Sequence, residues 1–217
     1  MSGINTLVIG DSWTSAIEAD TGKDEGWPTI LGIQENFRQA VAGSTALDWY
    51  SDFDNRLTRA MTTPADVLIM SLLGNDFRAM VSKGKIEMDD IYASLDAMAK
   101  LIDMLKRPRT IIMLYTDPYR GKLIGSKIGV AILNAAIKAC CIGKKVEFFE
   151  TSKILGDSDF ISGNIHPTRA GHEKIAAEFK KILGGAHKYR YTVIEKQNST
   201  PKVIEKQNPL PTWLLLS

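Results

Sequence analysis

Ser12 stands at the end of an apolar run that stops abruptly in Gly10-Asp11-Ser12. A buried strand can deliver a small polar side chain to the mouth of a sheet in this way. A serine so placed can be a nucleophile, and it can equally be a helix N-cap. A nucleophilic serine needs a base, and histidine is the usual base at neutral pH. The chain has three histidines, His166, His172 and His187. His166 lies in a loop rich in Gly, Asp and Ser, directly before Pro167 and just ahead of a helix start, so its backbone is fixed. A structural loop histidine is the alternative. His172 falls on that helix as a surface or half-buried residue, and His187 falls in the tail. Acyl transfer also needs donors aimed at the developing oxyanion. Three are available: the backbone N–H of Ser12, the backbone N–H of Gly43 and the side-chain amide of Asn75. Taken singly, Gly43 reads as a turn and Asn75 as a strand-end cap. Taken together, the four residues each meet one catalytic requirement.

The elements that must hold them alternate between strand and helix. Residues 4–9, 37–42, 66–73, 110–116 and 145–150 read as strands, and 66–73 is apolar throughout and so central. Helices are expected over 47–61, 88–105, 123–142 and 169–183, with a short one at Trp27-Pro28 that begins with proline and ends at Gly32. A short helical stretch is expected to open at Ser12. In 47–61, Trp49, Phe53, Leu57 and Met61 recur at intervals of four, which predicts one buried stripe. Such alternation implies an α/β fold, a three-layer α/β/α sandwich of flavodoxin-like form on a parallel sheet of about five strands. Functional sites in these sheets lie at the carboxyl ends of the strands, near the switch in strand order. Gly10-Asp11-Ser12, Gly43-Ser44-Thr45 and Gly74-Asn75-Asp76 all sit at strand ends and should gather on one rim.

Composition narrows the remaining classes. Hydrophobic residues make up 44% and charged residues 24%, as in ordinary globular proteins. The net charge of +2 gives no reason to expect nucleic acid or an anionic membrane as partner. Cys140 and Cys141 are adjacent, so they form no disulfide framework and no CxxC metal site. No metal and no cofactor is expected, and neither GxGxxG nor GxxxxGK[ST] marks the first turn as a nucleotide site. No basic n-region precedes the first strand and no apolar run is long enough to cross a bilayer, which predicts a cytoplasmic location.

The chain resembles the SGNH (GDSL-type) hydrolases. Gly10-Asp11-Ser12 is similar to the family's first block, Gly43 to its second, Gly74-Asn75-Asp76 to its third and His166-Pro167 to its last. The resemblance runs over about residues 4–183 and includes the Trp27-Pro28 stretch. It implies a flavodoxin-like fold and metal-free hydrolysis of esters, either short acyl esters or carbohydrate O-acetyl groups. It further implies Ser12 as nucleophile, Ser12, Gly43 and Asn75 as oxyanion hole, and His166 as base. Two departures stand out. The family's last block reads Asp-x-x-His, but Gly163 is three before His166, so the carboxylate that orients the ring is missing from its place. Asp157 and Asp159 lie upstream, and Asp159 is the candidate to fold back; a backbone carbonyl would instead give a Ser–His dyad. The third block usually has glycine two before the asparagine, and Leu73 stands there, which implies a changed approach of Asn75.

Beyond Gly185 the composition changes. Val193-Ile-Glu-Lys-Gln-Asn198 repeats as Val203-Ile-Glu-Lys-Gln-Asn208. Two short units cannot bury a core. Residues 1–185 are expected to form the hydrolase-like domain and 186–217 an extended tail, either a linker or a docking arm. The arm would join a homo-oligomer or a protein partner through residues 192–217, by strand addition. The missing aspartate and the tail together leave a second reading open, a weak or inactive SGNH-like module used for binding or assembly.

Overall fold

In the computed structural model, residues 4–19, 21–82, 87–116, 127–184, 190–195 and 202–207 are described. The centre is a parallel sheet of four strands in the order β1 (Thr6–Gly10), β2 (Val67–Ser71), β3 (Arg109–Leu114) and β4 (Glu147–Glu150). Register is regular: Val8 faces Ile69, Ile69 faces Ile111 and Ile112 faces Phe148. Every residue of β1 and β2 is buried. That is what an unbroken apolar run requires, because it has no polar face to turn to solvent.

The expected strand at 37–42 does not form a regular ladder. Its segment lies along β1, with a parallel bridge between Val8 and Arg38. Gln39 N–H donates to Val8 O at 2.8 Å and Val41 N–H to Gly10 O at 2.8 Å. The chain therefore leaves β1 for one side, runs along that edge, and returns to β2 on the other side. The reversal places the switch in strand order at β1, whose carboxyl end carries Ser12.

Helices cover the sheet. These are α1 (Trp27–Ile30), α2 (Ala46–Tyr50), α3 (Arg56–Thr62), α4 (Gly74–Ser82), α5 (Met88–Met104), α6 (Lys127–Cys140) and α7 (Arg169–Leu183). Helix α5 packs against α2 and α6, and α7 packs against α1. Trp27 stacks on Phe179 of α7 with centroids 4.6 Å apart, and Phe179 on Phe149 of β4 at 4.2 Å. Trp27 follows Gly26 and precedes Pro28, so its helix starts with the proline where a missing N–H costs nothing.

The single helix expected over 47–61 is broken. Asp52, Asp54 and Asn55 take left-handed φ of 58°, 55° and 57°. Aspartate and asparagine tolerate that region, and the Asp52 carboxylate then accepts from the Thr58 N–H at 2.9 Å. The predicted stripe splits with the helix. Trp49 and Leu57 are buried, whereas Phe53 and Met61 are 55% and 49% exposed.

The two copies of the repeat pair with each other. Strand β5 (Arg190–Glu195) runs antiparallel to β6 (Lys202–Gln207), with Val193 opposite Ile204 and Ile194 opposite Val203. The tail expected to be extended thus contains a two-stranded sheet. His187 lies outside the described residues. Among the described residues no helix is long and apolar enough to cross a membrane.

Candidate active site

The turn after β1 is held by its neighbours. Gly10 has φ +125°, and a Cβ there would lie 2.0 Å from Ser71 O, so only glycine lets the end of β1 close on β2. The Asp11 N–H then donates to Ser71 O at 3.0 Å. No helix opens at Ser12: residues 11–14 form a turn, and the group that caps it is the Asp11 carboxylate, accepting from Trp13 N–H at 3.0 Å. Ser12 itself is half-buried and free to face outward.

Asp11 is buried and takes two further donors. Ser71 Oγ–H donates to Oδ1 at 2.8 Å and Tyr115 Oη–H to Oδ2 at 2.5 Å. Burial raises its pKa from the ordinary 3.8 to about 6, against the pull of the Tyr115, Trp13 and Ser71 hydrogen bonds.

Gly43 has φ +82°, is exposed, and has no atom within 4 Å of where a Cβ would sit. The turn needs the left-handed backbone there. Ser44, next along, links the two strand ends: its Oγ–H donates to Gly10 O at 2.9 Å and accepts from Trp49 Nε1–H at 3.0 Å. The cap of α2 is Thr45, whose side chain accepts from Asp48 N–H while the Asp48 carboxylate accepts from Thr45 N–H. Asn75 lies in the first turn of α4. Its Nδ2–H donates to Ser44 O at 3.0 Å, so the carboxamide is turned to the Gly43 loop. Asp76 is buried and accepts from Ala46 N–H at 3.0 Å, tying α4 to α2. Among the described residues, the amides of Ser12 and Gly43 make no hydrogen bond to protein.

Leu73, two before Asn75, has φ +83° and is completely buried. The backbone there is the one a glycine would adopt without strain. A leucine pays about 1–2 kcal/mol for it, offset by burial of its side chain.

His166 comes from the loop before α7. Its Nε2 lies 2.8 Å from Ser12 Oγ. Its Nδ1 lies 2.7 Å from Asn164 Oδ1, which also accepts from His166 N–H at 3.3 Å. Two donors converge on that oxygen, which fixes the amide's orientation. An amide oxygen can only accept, so Nδ1 carries the proton and Nε2 is left to accept from the serine hydroxyl. The pKa of His166 is lowered, by burial and by the Arg78 cation.

Asp159 does not orient the ring. Its carboxylate accepts from Gly156 N–H at 2.8 Å and pairs with Lys174 of α7 at 2.8 Å. Burial alone would raise that carboxyl; Lys174 and the Gly156 amide outweigh it and hold the pKa below the ordinary value. Gly163 has φ +73° in a turn closed by Asn164 N–H donating to Ile161 O at 2.9 Å. A carboxylate-bearing residue at 163 would have to adopt a strained backbone. Asn164, which no catalytic motif marks, stands next to that glycine. Its signal was its place two before His166, the reach at which an Asx side chain bonds nearby backbone.

His172 is buried, not half-buried at the surface. Its Nδ1 accepts from Trp27 N–H at 3.3 Å, and burial, with the His166 and Arg169 charges, lowers its pKa to about 4. It is a neutral structural residue between α7 and α1. Burial pushes the thiols of Cys140 and Cys141 up to about 11 and 12, so neither is a nucleophile at neutral pH.

Comparison with known proteins gives the same fold. One match is a catalytic mutant of Axe2, an acetylxylan esterase from Geobacillus stearothermophilus, at TM-score 0.60 and 15% identity, covering 84% of this chain and 95% of that one. Unmutated Axe2 gives 0.58 and 15% over the same shares. LAE5, an alpha/beta hydrolase enzyme from the metagenome of Lake Arreo, Spain, gives 0.59 and 14%, covering 85% and 97%. No curated protein matches the sequence. The model of the GDSL-like Lipase/Acylhydrolase family matches residues 8–174. The chain belongs to that family and is an SGNH-type esterase.

Proposed function

We propose that this esterase works through an acyl-enzyme on Ser12, with His166 as base and the amides of Ser12, Gly43 and Asn75 as oxyanion donors. The observation that carries the reading is the 2.8 Å contact between His166 Nε2 and Ser12 Oγ, with Nδ1 held by Asn164. In the proposed reaction Ser12 Oγ attacks the ester carbonyl and its proton passes to Nε2. The carbonyl oxygen gains the negative charge and receives hydrogen bonds from the Ser12 and Gly43 amides, which make none to protein among the described residues, and from the second Nδ2–H of Asn75, whose first is given to Ser44 O. The imidazolium returns the proton to the departing alcohol. A water, deprotonated by the same nitrogen, then releases the acid from Ser12. Asn164 fixes the tautomer but adds no negative charge beside the imidazolium, so the site is a Ser–His pair with a neutral orienter.

The proposed substrate is a short acyl ester or a carbohydrate O-acetyl group. Fold likeness to an acetylxylan esterase makes acetylated xylo-oligosaccharides the first class to assay. In the same reading residues 1–185 are the catalytic unit and 186–217 an appendage, supported by a repeat hairpin whose strands pair with each other. The test compares the protein with Ser12→Ala on p-nitrophenyl acetate and acetylated xylo-oligosaccharide, together with labelling by a fluorophosphonate. The expected outcome is stoichiometric labelling at Ser12 and a loss of at least about 10³-fold in kcat in the variant. Equal turnover in the two proteins would reject the reading.

A further inference from the structure

The hydroxyl of Tyr115 lies between the two halves of the site. It donates to Asp11 Oδ2, and Asp11 directly precedes Ser12. Its ring and hydroxyl also pack against Gly74, which directly precedes Asn75. The contact is close: a Cβ on Gly74 would lie 3.0–3.1 Å from the Tyr115 ring and hydroxyl. Tyr115 cannot drift, because Asn134 of α6 clamps its backbone. Tyr115 N–H donates to Asn134 Oδ1 at 3.0 Å, and Asn134 Nδ2–H donates to Tyr115 O at 2.9 Å. The other face of the ring meets Trp13 edge-on, with centroids 5.3 Å apart, and Trp13 follows Ser12. One buried phenol thus touches the residues on both sides of the nucleophile and the residue before the oxyanion amide.

We propose that Tyr115 is a positioning residue, which sets the distance between the Ser12 nucleophile and the Asn75 amide by holding Asp11 through its hydroxyl while packing against Gly74. The inference rests on the esterase reading of Ser12 given above. Its physical basis is that neither group is fixed by the sheet. Ser12 lies past the last residue of β1 and Asn75 past the last residue of β2, so register alone leaves both turns free to shift. A shift of an ångström between a nucleophile and its oxyanion donor costs rate far more than stability. The network also depends on charge. Protonated Asp11 would present an O–H where Tyr115, Ser71 and Trp13 now donate. The ionisable groups that act on Asp11 are Tyr115 from beyond β3 and Asp76 from α4. Removing the phenol removes a hydrogen bond that favours the carboxylate, so Asp11 takes up its proton at higher pH.

The experiment measures fluorophosphonate labelling of Ser12, kcat and KM on p-nitrophenyl acetate, and the pH profile of kcat/KM. The proteins are the unaltered chain, Tyr115→Phe, Ser71→Ala and a control, Thr151→Val. Thr151 is buried at the same end of the sheet and its Oγ1–H donates to Leu114 O at 2.6 Å, but it does not touch Asp11. Tyr115→Phe is expected to label and turn over about 10- to 100-fold more slowly, with KM little changed. Its acid limb moves to higher pH. Ser71→Ala moves both quantities in the same direction by less, and decides the matter if Tyr115→Phe does not fold. Thr151→Val lowers the melting temperature without moving the acid limb. If the unaltered chain labels at Ser12 while Tyr115→Phe or a folded Ser71→Ala keeps its labelling rate and acid limb, the inference is overturned and the esterase reading stands. If the unaltered chain does not label at Ser12, both fall.

Discussion

The turn that carries Ser12 and the loop that carries His166 meet at one hydrogen bond, yet they are held by different means. The Ser12 turn is anchored to three elements. Gly10 closes on β2, Ser44 reaches it from the neighbouring loop, and Tyr115 reaches it from beyond β3. Its anchor is a buried carboxylate. Raising the Asp11 pKa from 3.8 to about 6 corresponds to about 3 kcal/mol against the ionised form. Because the folded state holds that proton more tightly, Asp11 lowers stability progressively as pH rises from 3.8 to about 6. The His166 loop is lighter. It hangs on a glycine turn, one neutral amide and the start of α7, and the nearby carboxylate of Asp159 is committed to Lys174. The difference teaches that this protein fixes the proposed nucleophile and oxyanion donors through a dense buried network, while the proposed base is oriented without being electrostatically supported.

That contrast can be broken most directly at Asn164. Asn164→Ala frees Nδ1 and lets the ring turn or change tautomer, and kcat should fall about 10- to 100-fold with little change in melting temperature. Asn164→Asp supplies the missing charge. It should raise the His166 pKa, moving the acid limb of the pH–rate profile upward, and increase kcat above that limb. An acid limb that stays in place in Asn164→Asp would show that residue 164 does not face the ring.

A smaller effect is expected from Gly163→Asp, which restores a carboxylate three before the histidine. At φ +73° it should cost about 1–2 kcal/mol of stability by denaturant titration. It should not raise kcat, since Asn164 already occupies Nδ1. A gain in turnover would mean that the loop rearranges to accept a triad.

The smallest effect is expected at Arg78. This exposed cation contributes, after burial, to the depressed pKa of His166. His166 must be neutral to act as base, so a lower pKa extends activity to more acidic pH. Arg78→Gln should therefore move the acid limb upward by less than Asn164→Asp does, with kcat on the plateau unchanged, as read from the pH dependence of kcat/KM.

The sequence was informative where one physical rule acts locally. An apolar run such as 67–70 has to be a central strand, and Gly10, Gly43, Asn75 and His166 were each placed at a strand end or loop by where the apolar runs stop. The 47–61 helix failed because three Asp and Asn residues tolerate left-handed backbone, and periodicity does not register that. The 37–42 strand failed because an edge segment needs only a few hydrogen bonds to β1 to stay in place. Asp159 failed because a carboxylate goes to the strongest donors within reach, and Lys174 is brought there by α7.

By itself, then, the order of residues determined the alternation of strand and helix, the placing of Gly10-Asp11-Ser12, Gly43 and Gly74-Asn75-Asp76 at the ends of expected strands, and the absence of aspartate three before the histidine. What only the tertiary structure decided is which side chain meets which. Asn164 behind His166, Tyr115 between Asp11 and Gly74, and Leu73 in a glycine's backbone are all contacts or conformations set by packing. Hydrogen bonds and burial act over a few ångströms in space, and Tyr115 meets Asp11 across 104 residues of chain, a separation that leaves no local pattern by which the two could recognise each other.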